Sequence, residues 1–401
     1  MIGMKQEKPI YQVPGMDEIG AIPWNGYSVV STFSGCGGSC LGFEMAGFKV
    51  VWANEFIPAA QEVYRLNHPG TCLNTEDIRE VTPESILGAT GLGVGELDVM
   101  EGSPPCASFS LAGKREEHWG QVKPYSDTKQ RTDDLFWEYI RLVNGLQPKV
   151  FVAENVAGLV RGVSKGYFKQ ILSGFKKCGY TVRCQVLDAQ WLGVPQARKR
   201  VIFMGVREDL GLDPVFPKPL PYYYSVRDAL PWVKSQMRDH GFGHESMMEA
   251  TIPSGTIGTG PSSGNGKYPP SIIEAETDME TPTVEPESSM VGYAVGQEWE
   301  KLRPGESSDR YMNLVKPMLD KPSPTVTQAG GSSSTASVTH PTEQRKFSIA
   351  ELKRICAFPN DFQLTGTYNK QWERLGRAVP PVMMRAVAES IRDGILGRIK
   401  A

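Results

Sequence analysis

Cys106 stands directly behind two prolines in the stretch GSPPCASFS, residues 102–110. The prolines fix the chain ahead of it and disfavour helix, so the thiol is presented on a stiff loop. A free cysteine is more commonly a small buried hydrophobe; its place on a polar loop weighs against that account. A second reactive candidate is Glu154, in FVAENVAGL, residues 151–159. An acid leaving an apolar strand is poorly solvated, which favours its protonated form and suits a carboxyl that must donate a proton. A glutamate capping the following turn is the plainer account of the same residue. The third candidate is QARKR, residues 196–200, ahead of the apolar VIFMG. Its arginines alternate, so Arg198 and Arg200 are expected on one face of a strand and Lys199 on the other. Two guanidiniums on one face can hold a carbonyl, a carboxylate or a phosphate.

A fourth feature is a cradle. Gly35, Gly37 and Gly38 sit in FSGCGG after an apolar run. Such a turn lets backbone approach a ligand closely and aims helix N-terminal N–H groups at it. Glu55 ends the next apolar run, where a carboxylate can accept hydrogen bonds from both ribose hydroxyls of an adenosine. Asp77 with Ile78 follows a third turn position and is placed to cap an adenine. On spacing alone, a helix-capping aspartate explains Asp77 equally well.

These residues need a scaffold that brings several strand ends to one edge. Residues 27–33, 48–53 and 97–100 read as strands, and 58–67 as a helix. Leu135, Tyr139, Leu142, Val143 and Leu146 recur at helical spacing before a further strand at 149–153. Strands alternating with helices predict an α/β fold: a doubly wound, mostly parallel sheet with helices on both faces. The carboxyl edge of such a sheet is the usual place for a site. Residues 182–187 and 201–205 add two strands, read as a hairpin across WLGVPQARK. After Arg207 the texture changes. Residues 253–270 are rich in Gly, Ser and Pro, and acids follow up to Glu287, which predicts a smaller, loop-rich second domain. Met383, Val387, Ile391 and Ile395 make one apolar stripe of a final helix that packs back on the first domain. Residues up to Gly26 show no clear periodicity and read as an arm.

Composition bounds the function. The chain has 401 residues, 40% of them apolar and 22% charged, which is ordinary for a soluble globular protein with room for one large and one smaller domain. No run of about 18 apolar residues occurs, and MIGMKQEKPI has no apolar signal-peptide core, so neither a membrane span nor secretion is expected. Seven cysteines without a CxxC pair suggest neither disulfides nor zinc, and point to a reducing, intracellular compartment. Cys36 with Cys40 and His240 with His244, each four apart, read as incidental. The net charge of −2 hides a split: residues 161–207 hold ten Lys or Arg against one acid, Asp188. Beyond Glu208 the balance reverses, and no Lys or Arg appears between Tyr268 and Glu300. A basic segment suits phosphate contacts, although on charge alone a solvated helix face is the commoner cause.

In this order the motifs resemble those of the DNA cytosine-C5 methyltransferase family. FSGCGG with Glu55 and Asp77 is similar to its cofactor-binding motifs, PPC to its nucleophile motif, ENV to its acid motif and QARKR to its arginine motif. LKRICAFPNDF (352–362) and ERLGRAVPP (373–381) resemble its last two motifs. The match covers nearly all of the catalytic fold and leaves the arm and residues 208–322 outside it. The resemblance implies a Rossmann-like methyltransferase fold divided into an arm (1–26), a catalytic and cofactor-binding domain (27–207), a target-recognition domain (208–323) and a C-terminal segment (324–401) completing the catalytic domain. It implies an S-adenosylmethionine-type donor held by Phe33, Gly35, Gly37, Gly38, Glu55, Asp77, Ile78 and Pro105, closed over by Ala378 and Val379. Cys106 becomes the nucleophile on a flipped-out cytosine, Glu154 holds N3 and the exocyclic amine, and Arg200 with Arg198 orients the base. The polar loop 111–131 would close over DNA, with Lys114 and Arg115 as phosphate contacts. The expected partner is double-stranded DNA, with a cognate restriction endonuclease as a possible companion. A monomer without metal is expected, acting in the cytoplasm of a bacterium or a phage-infected cell. An RNA cytosine-C5 enzyme and a non-catalytic DNA-binding regulator are the rivals. The sizeable variable region favours duplex DNA, and the retained Cys106, Glu154 and arginines speak against a regulator.

One position departs from the family pattern. Asn usually follows the glycine of the last motif, whereas here Gly376 is followed by Arg377. Three readings stay open: Arg377 turns outward to a DNA phosphate, it impairs transfer, or it pairs with an anion on the donor. The last would suit carboxy-S-adenosylmethionine and give 5-carboxymethylcytosine. A charge-assisted pair of about 1.5–3 kcal/mol is enough to shift donor preference ten-fold or more. Milder departures are Ser103 for a common Gly, Ala107 for a common Gln, and Ser31 or Thr32 where Asp often precedes the first motif.

Overall fold

A computed structural model describes residues 8–105, 123–125, 128–130, 134–160, 165–233 and 281–399. In chain order it forms α1 (Met16–Gly20), β1 (Ser28–Thr32), α2 (Gly38–Met45), β2 (Lys49–Asn54), α3 (Pro58–Asn67), β3 (Cys72–Asn74), α4 (Pro83–Thr90) and β4 (Val99–Gly102). Then come α5 (Leu135–Leu146), β5 (Val150–Val156), α6 (Lys165–Lys177), β6 (Tyr180–Asp188), β7 (Lys199–Arg207) and α7 (Val226–Ala229). The chain closes with α8 (Ala294–Lys301), α9 (Ile349–Ile355), α10 (Tyr368–Arg377) and α11 (Pro381–Gly394).

The seven strands make one sheet in the order β3-β2-β1-β4-β5-β7-β6. All neighbours are parallel except β7, which runs antiparallel to both β5 and β6. The expected doubly wound α/β sheet is therefore present. Its inner strands are buried on both faces, so they read as continuous apolar runs. Within each run the side chains still alternate. Val29, Val99, Val150 and Val152 face a core shared with α2 and α11, whereas Val30, Met100, Phe151 and Ala153 face a core shared with α5 and α6. The helix expected at 58–67 has those bounds, with proline at its first position, where its missing N–H costs nothing. The hairpin across 191–199 is formed, with Lys199 opposite Asp188.

The stripe Met383, Val387, Ile391 and Ile395 is fully buried against the sheet. Gly42 allows this approach: a Cβ there would meet the carbonyl of Pro381 and the Met384 side chain. The segment before Gly26 is no free arm. Over its described part, Tyr11 and Ile19 are buried, the Tyr11 hydroxyl donates to the Arg354 carbonyl at 2.6 Å, and Met16 N–H donates to Asp361. Arg354 and Asp361 lie more than 300 residues away, which is why local periodicity gave no sign of them.

After Arg207 the chain first returns to the catalytic body, where Val215 and Phe216 pack beside α11 and Val226 and Leu230 beside Phe347 and Leu352. Residues 281–323 contribute a small separate core of Met290, Val295, Trp299 and Leu314. The main path then rejoins the body through a two-residue parallel ladder, Ser323 and Pro324 against Gln196 and Ala197.

Candidate active site

The carboxyl ends of β1, β2 and β4 open on a cleft, at the edge of the sheet where ligands of such folds bind. It is lined by Phe33, Gly35, Gly38, Glu55, Asp77, Ile78, Pro105, Arg377 and Ala378, all expected from the sequence. β1 ends at Thr32, and the chain turns through two left-handed residues, Phe33 at φ 54° and Gly35 at φ 58°. A non-glycine residue held there stores backbone strain, which concentrates at functional sites. The Glu55 carboxylate fixes this turn: one oxygen accepts Gly35 N–H at 2.7 Å, the other Ile57 N–H at 2.7 Å. Burial raises its pKa, and those two N–H groups oppose the rise. Gly38 begins α2, and a Cβ on it would meet the Val379 carbonyl, so glycine lets the last motif close against the first.

Gly37 belongs elsewhere. It does not line the cleft; its φ is 88°, and a Cβ would overlap the His68 imidazole. Its glycine serves packing behind the turn, not ligand approach. Asp77 lines the cleft, but its carboxylate also holds Arg79, at 2.9 Å from Nη1.

On the other side of β4, Glu154 lies in β5 and meets Arg200 of β7, with Arg200 Nε 2.6 Å from Glu154 Oε1. The antiparallel register sets this pair: Ile202 faces Glu154 and Arg200 faces Val156, so the two side chains are diagonal neighbours on one face. Glu154 is 8% exposed, yet it is not the unanswered acid the strand suggested, since a guanidinium meets it. Arg198 does not join them. The chain breaks between residues 197 and 199, and Arg198 turns into the body, 2% exposed. Its guanidinium donates to the carbonyls of Val326 at 3.0 Å and Gly376 at 3.1 Å. Burial and the neighbouring Arg200 lower its pKa to about 9. Arg198 is thus a strut between the arginine motif and the last motif, not a second hand on the base.

Cys106, Lys114 and Arg115 lie outside the described residues. What leads to Cys106 is held: Asn155 donates its side-chain amide to the Pro104 carbonyl at 3.0 Å. In the ENV motif the acid is the conspicuous residue, and nothing local in the sequence marks the asparagine beside it for this role. Arg374 likewise went unmarked, although it lines the cleft one helical turn before Arg377; the spacing of three on α10 was the available signal. Arg377 Nε lies 2.9 Å from Glu373 Oε1, and its place on the cleft wall argues against the outward reading. A further residue had no signal at all: Glu101, in β4, lines the cleft at 1% exposure. Among the described residues, no group of three His, Cys, Asp or Glu is arranged to hold a metal, and no helix is long and apolar enough to cross a membrane.

Comparison with known proteins adds independent findings. Residues 27–393 match the family described as C-5 cytosine-specific DNA methylase. The type II methyltransferase M1.HphI of Haemophilus parahaemolyticus is 30% identical over 366 residues, spanning 90% of this chain and 86% of its own length. M.NgoFVII of Neisseria gonorrhoeae is 30% identical over 368 residues, with the same coverage of 90% and 86%. An E. coli prophage-encoded protein described as a DNA modification methyltransferase shares the fold, with TM-score 0.63 and 23% identity over 92% of this chain and 99% of that one.

Proposed function

The chain belongs to the C-5 cytosine-specific DNA methylase family, and on that premise we propose that it methylates C5 of a flipped-out cytosine in duplex DNA through a covalent bond from Cys106 to C6. It is an enzyme of DNA cytosine-C5 methyltransferase type. The observation that carries the finer reading is the Glu154–Arg200 pair, set beside the strand whose following loop leads to Cys106 and next to the cleft.

The cleft suits an S-adenosylmethionine-type donor. Glu55 offers carboxylate lone pairs for a ribose, Ile78 and Phe33 offer apolar walls, and the space beside Gly35 is open. When bound, the donor supplies an electrophilic methyl on a sulfonium sulfur. Cytosine C5 is a poor nucleophile. Addition of the Cys106 thiolate to C6 makes the ring enamine-like and C5 reactive. Glu154 holds N3 and the exocyclic amine, while Arg200 keeps Glu154 oriented and reaches toward O2. Loss of the C5 proton and expulsion of the thiolate then restore the ring. The base must leave the stack for any of this to occur.

In this reading the target sequence is read by the later part of the stretch expected at 208–323, since its first residues pack on the catalytic body, and the separate core around Trp299 supports an independent unit there. Residues 324–401 complete the catalytic body, and Lys114 and Arg115 take phosphates. The protein acts as a monomer on DNA in the bacterial cytoplasm, alongside a restriction endonuclease if its relatives' type II systems are a guide. The test is nucleoside mass spectrometry on DNA treated with protein and donor, together with trapping on 5-fluorocytosine DNA. The expected results are 5-methyldeoxycytidine and an adduct lost in Cys106→Ser. Modification of tRNA but not DNA would instead favour the RNA enzyme.

A second reading has its own support. Arg377 and Arg374 both line the donor cleft, so a carboxylate on the transferred carbon would find cations there. Carboxy-S-adenosylmethionine would then yield 5-carboxymethylcytosine. Donor competition decides: the carboxylated donor should win, and Arg377→Asn should reverse the outcome. Equal use, or preference for the ordinary donor, removes this reading.

A further inference from the structure

Three carboxylates line the cleft, and two of them are already answered. Asp77 is paired with Arg79, and Glu55, whose oxygens each accept a backbone N–H, also feels the Arg374 charge. Glu101 is different. One of its oxygens accepts the Ser31 hydroxyl, and the other accepts Ser39 Oγ at 2.7 Å. The Cys40 thiol lies 3.7 Å away. These are neutral donors, and Glu101 forms no ion pair among the described residues. A carboxylate at 1% exposure without a cation is costly to keep charged. Such a group calls for a cation that arrives with something else.

Its position is equally telling. The register of β1 and β4 places Ser31, just ahead of the left-handed turn, beside Glu101. Across this strand pair the carboxylate stands one strand over, still at the floor of the donor cleft. We propose that Glu101 supplies the negative charge that balances the cationic sulfur of the donor. This rests on the reading that the cleft takes a sulfonium donor.

The environment makes the charge switchable. Burial pushes the Glu101 carboxyl up to about 7, the Ser31 and Ser39 hydroxyls oppose that rise, and Glu154 on β5 adds to it. From α2 the Cys40 thiol, and from α5 the Tyr139 hydroxyl, also face it; burial raises both pKa values well above ordinary, so both stay neutral near pH 7. Glu154 is met by Arg200, and Arg374 and Arg377 of α10 stand along the cleft wall. An arriving cation lowers the Glu101 pKa, so binding releases a proton wherever the empty protein holds one. Affinity for the cationic donor should therefore rise with pH up to about 7 and flatten above it. S-adenosylhomocysteine, the demethylated product, has a neutral thioether and should show less of this.

Calorimetric binding of both compounds at about pH 6 and about pH 8 tests the proposal. The expected result is that S-adenosylmethionine tightens about five-fold to ten-fold more than S-adenosylhomocysteine between these two pH values, the ceiling set by a free-protein pKa of about 7. Proton release should accompany the former. In Glu101→Gln, with folding checked by circular dichroism, the difference should vanish, and Glu101→Asp should keep part of it. Parallel pH slopes for the two compounds in the unaltered protein would overturn the proposal alone, as would a slope retained in folded Glu101→Gln. Failure of the unaltered protein to bind either compound would overturn the reading of the cleft and this proposal with it.

Discussion

Asn155 donates its side-chain amide to the carbonyl oxygen of Pro104 at 3.0 Å, joining the strand that carries the acid to the loop that leads into the cysteine. Both groups are buried, so the bond has no water to replace it. β4 and β5 are parallel neighbours with Gly102 opposite Ala153, and the amide spans the point where their chains diverge. The strand that carries Glu154 is thus tied to the Pro104 backbone by a residue that does no chemistry itself.

Asn155→Ala should leave the Pro104 carbonyl unpaired and lower stability by about 1–3 kcal/mol. Because the latch positions the loop, single-turnover methylation should slow at least ten-fold while donor affinity changes little. An unchanged rate in denaturant-tested, folded protein would show that the loop is placed by other contacts.

Arg200→Ala should strand the Glu154 carboxylate at the sheet edge and cost about 3–5 kcal/mol, the usual loss when one partner of a buried pair is removed. Combining it with Glu154→Gln should recover most of that stability without recovering activity. A double-mutant cycle in urea reads the coupling; near-zero coupling would mean that the pair is not formed in solution.

Arg198→Met should destabilise the fold by at least about 2 kcal/mol, since the Val326 and Gly376 carbonyls lose their donor. Ala378 lines the cleft just beyond, so donor affinity should fall too. Arg377→Asn should have little effect on unfolding, and only under the carboxylated-donor reading should it change donor choice. A large loss of base orientation with intact stability in Arg198→Met would contradict its role as a strut.

Gly37→Ala and Gly35→Ala should fail differently. Both positions have positive φ, but a Cβ at Gly37 overlaps His68, whereas at Gly35 nothing lies within 4 Å. The His68 ring cannot easily yield, being stacked on Tyr64 at 4.5 Å and held by Glu44 at 3.0 Å. Thermal melts should therefore show the larger loss for Gly37→Ala. Donor binding should suffer more specifically in Gly35→Ala.

Acid should weaken the C-terminal segment through His340. Burial lowers its pKa from 6.5 to about 4, and Nδ1 accepts the Glu343 N–H at 3.1 Å, a bond that protonation would break. The unfolded chain binds a proton at higher pH than the folded one, so stability is lost as pH falls from 6.5 towards 4. The loss amounts to at most about 3 kcal/mol. His340→Asn keeps an acceptor and removes the titration, so its urea midpoint should fall less across that window. Identical pH dependence in both proteins would exclude His340 as the source.

The elements and the order of the chemistry were legible in the local pattern of the chain. The helix at 58–67, the stripe on α11 and the apolar runs of β1, β4 and β5 follow from periodicities of a few residues, which local pattern records. Pro105 before Cys106, the acid after FVA and the arginines before VIFMG were likewise legible as a set. Relations between chain segments far apart arise from packing across the whole molecule and leave no local trace. The antiparallel register of β7 on β5 chose Arg200 over Arg198 as partner of Glu154. Approach of His68 gave Gly37 a packing role, and docking on Arg354 and Asp361 held the N-terminal segment in place. Parallel pairing of β1 with β4 set Glu101 beside Ser31 at the cleft floor. Side-chain alternation says which residues share a face of one strand; only the pairing of strands, fixed by burial across the whole sheet, says which residue stands opposite.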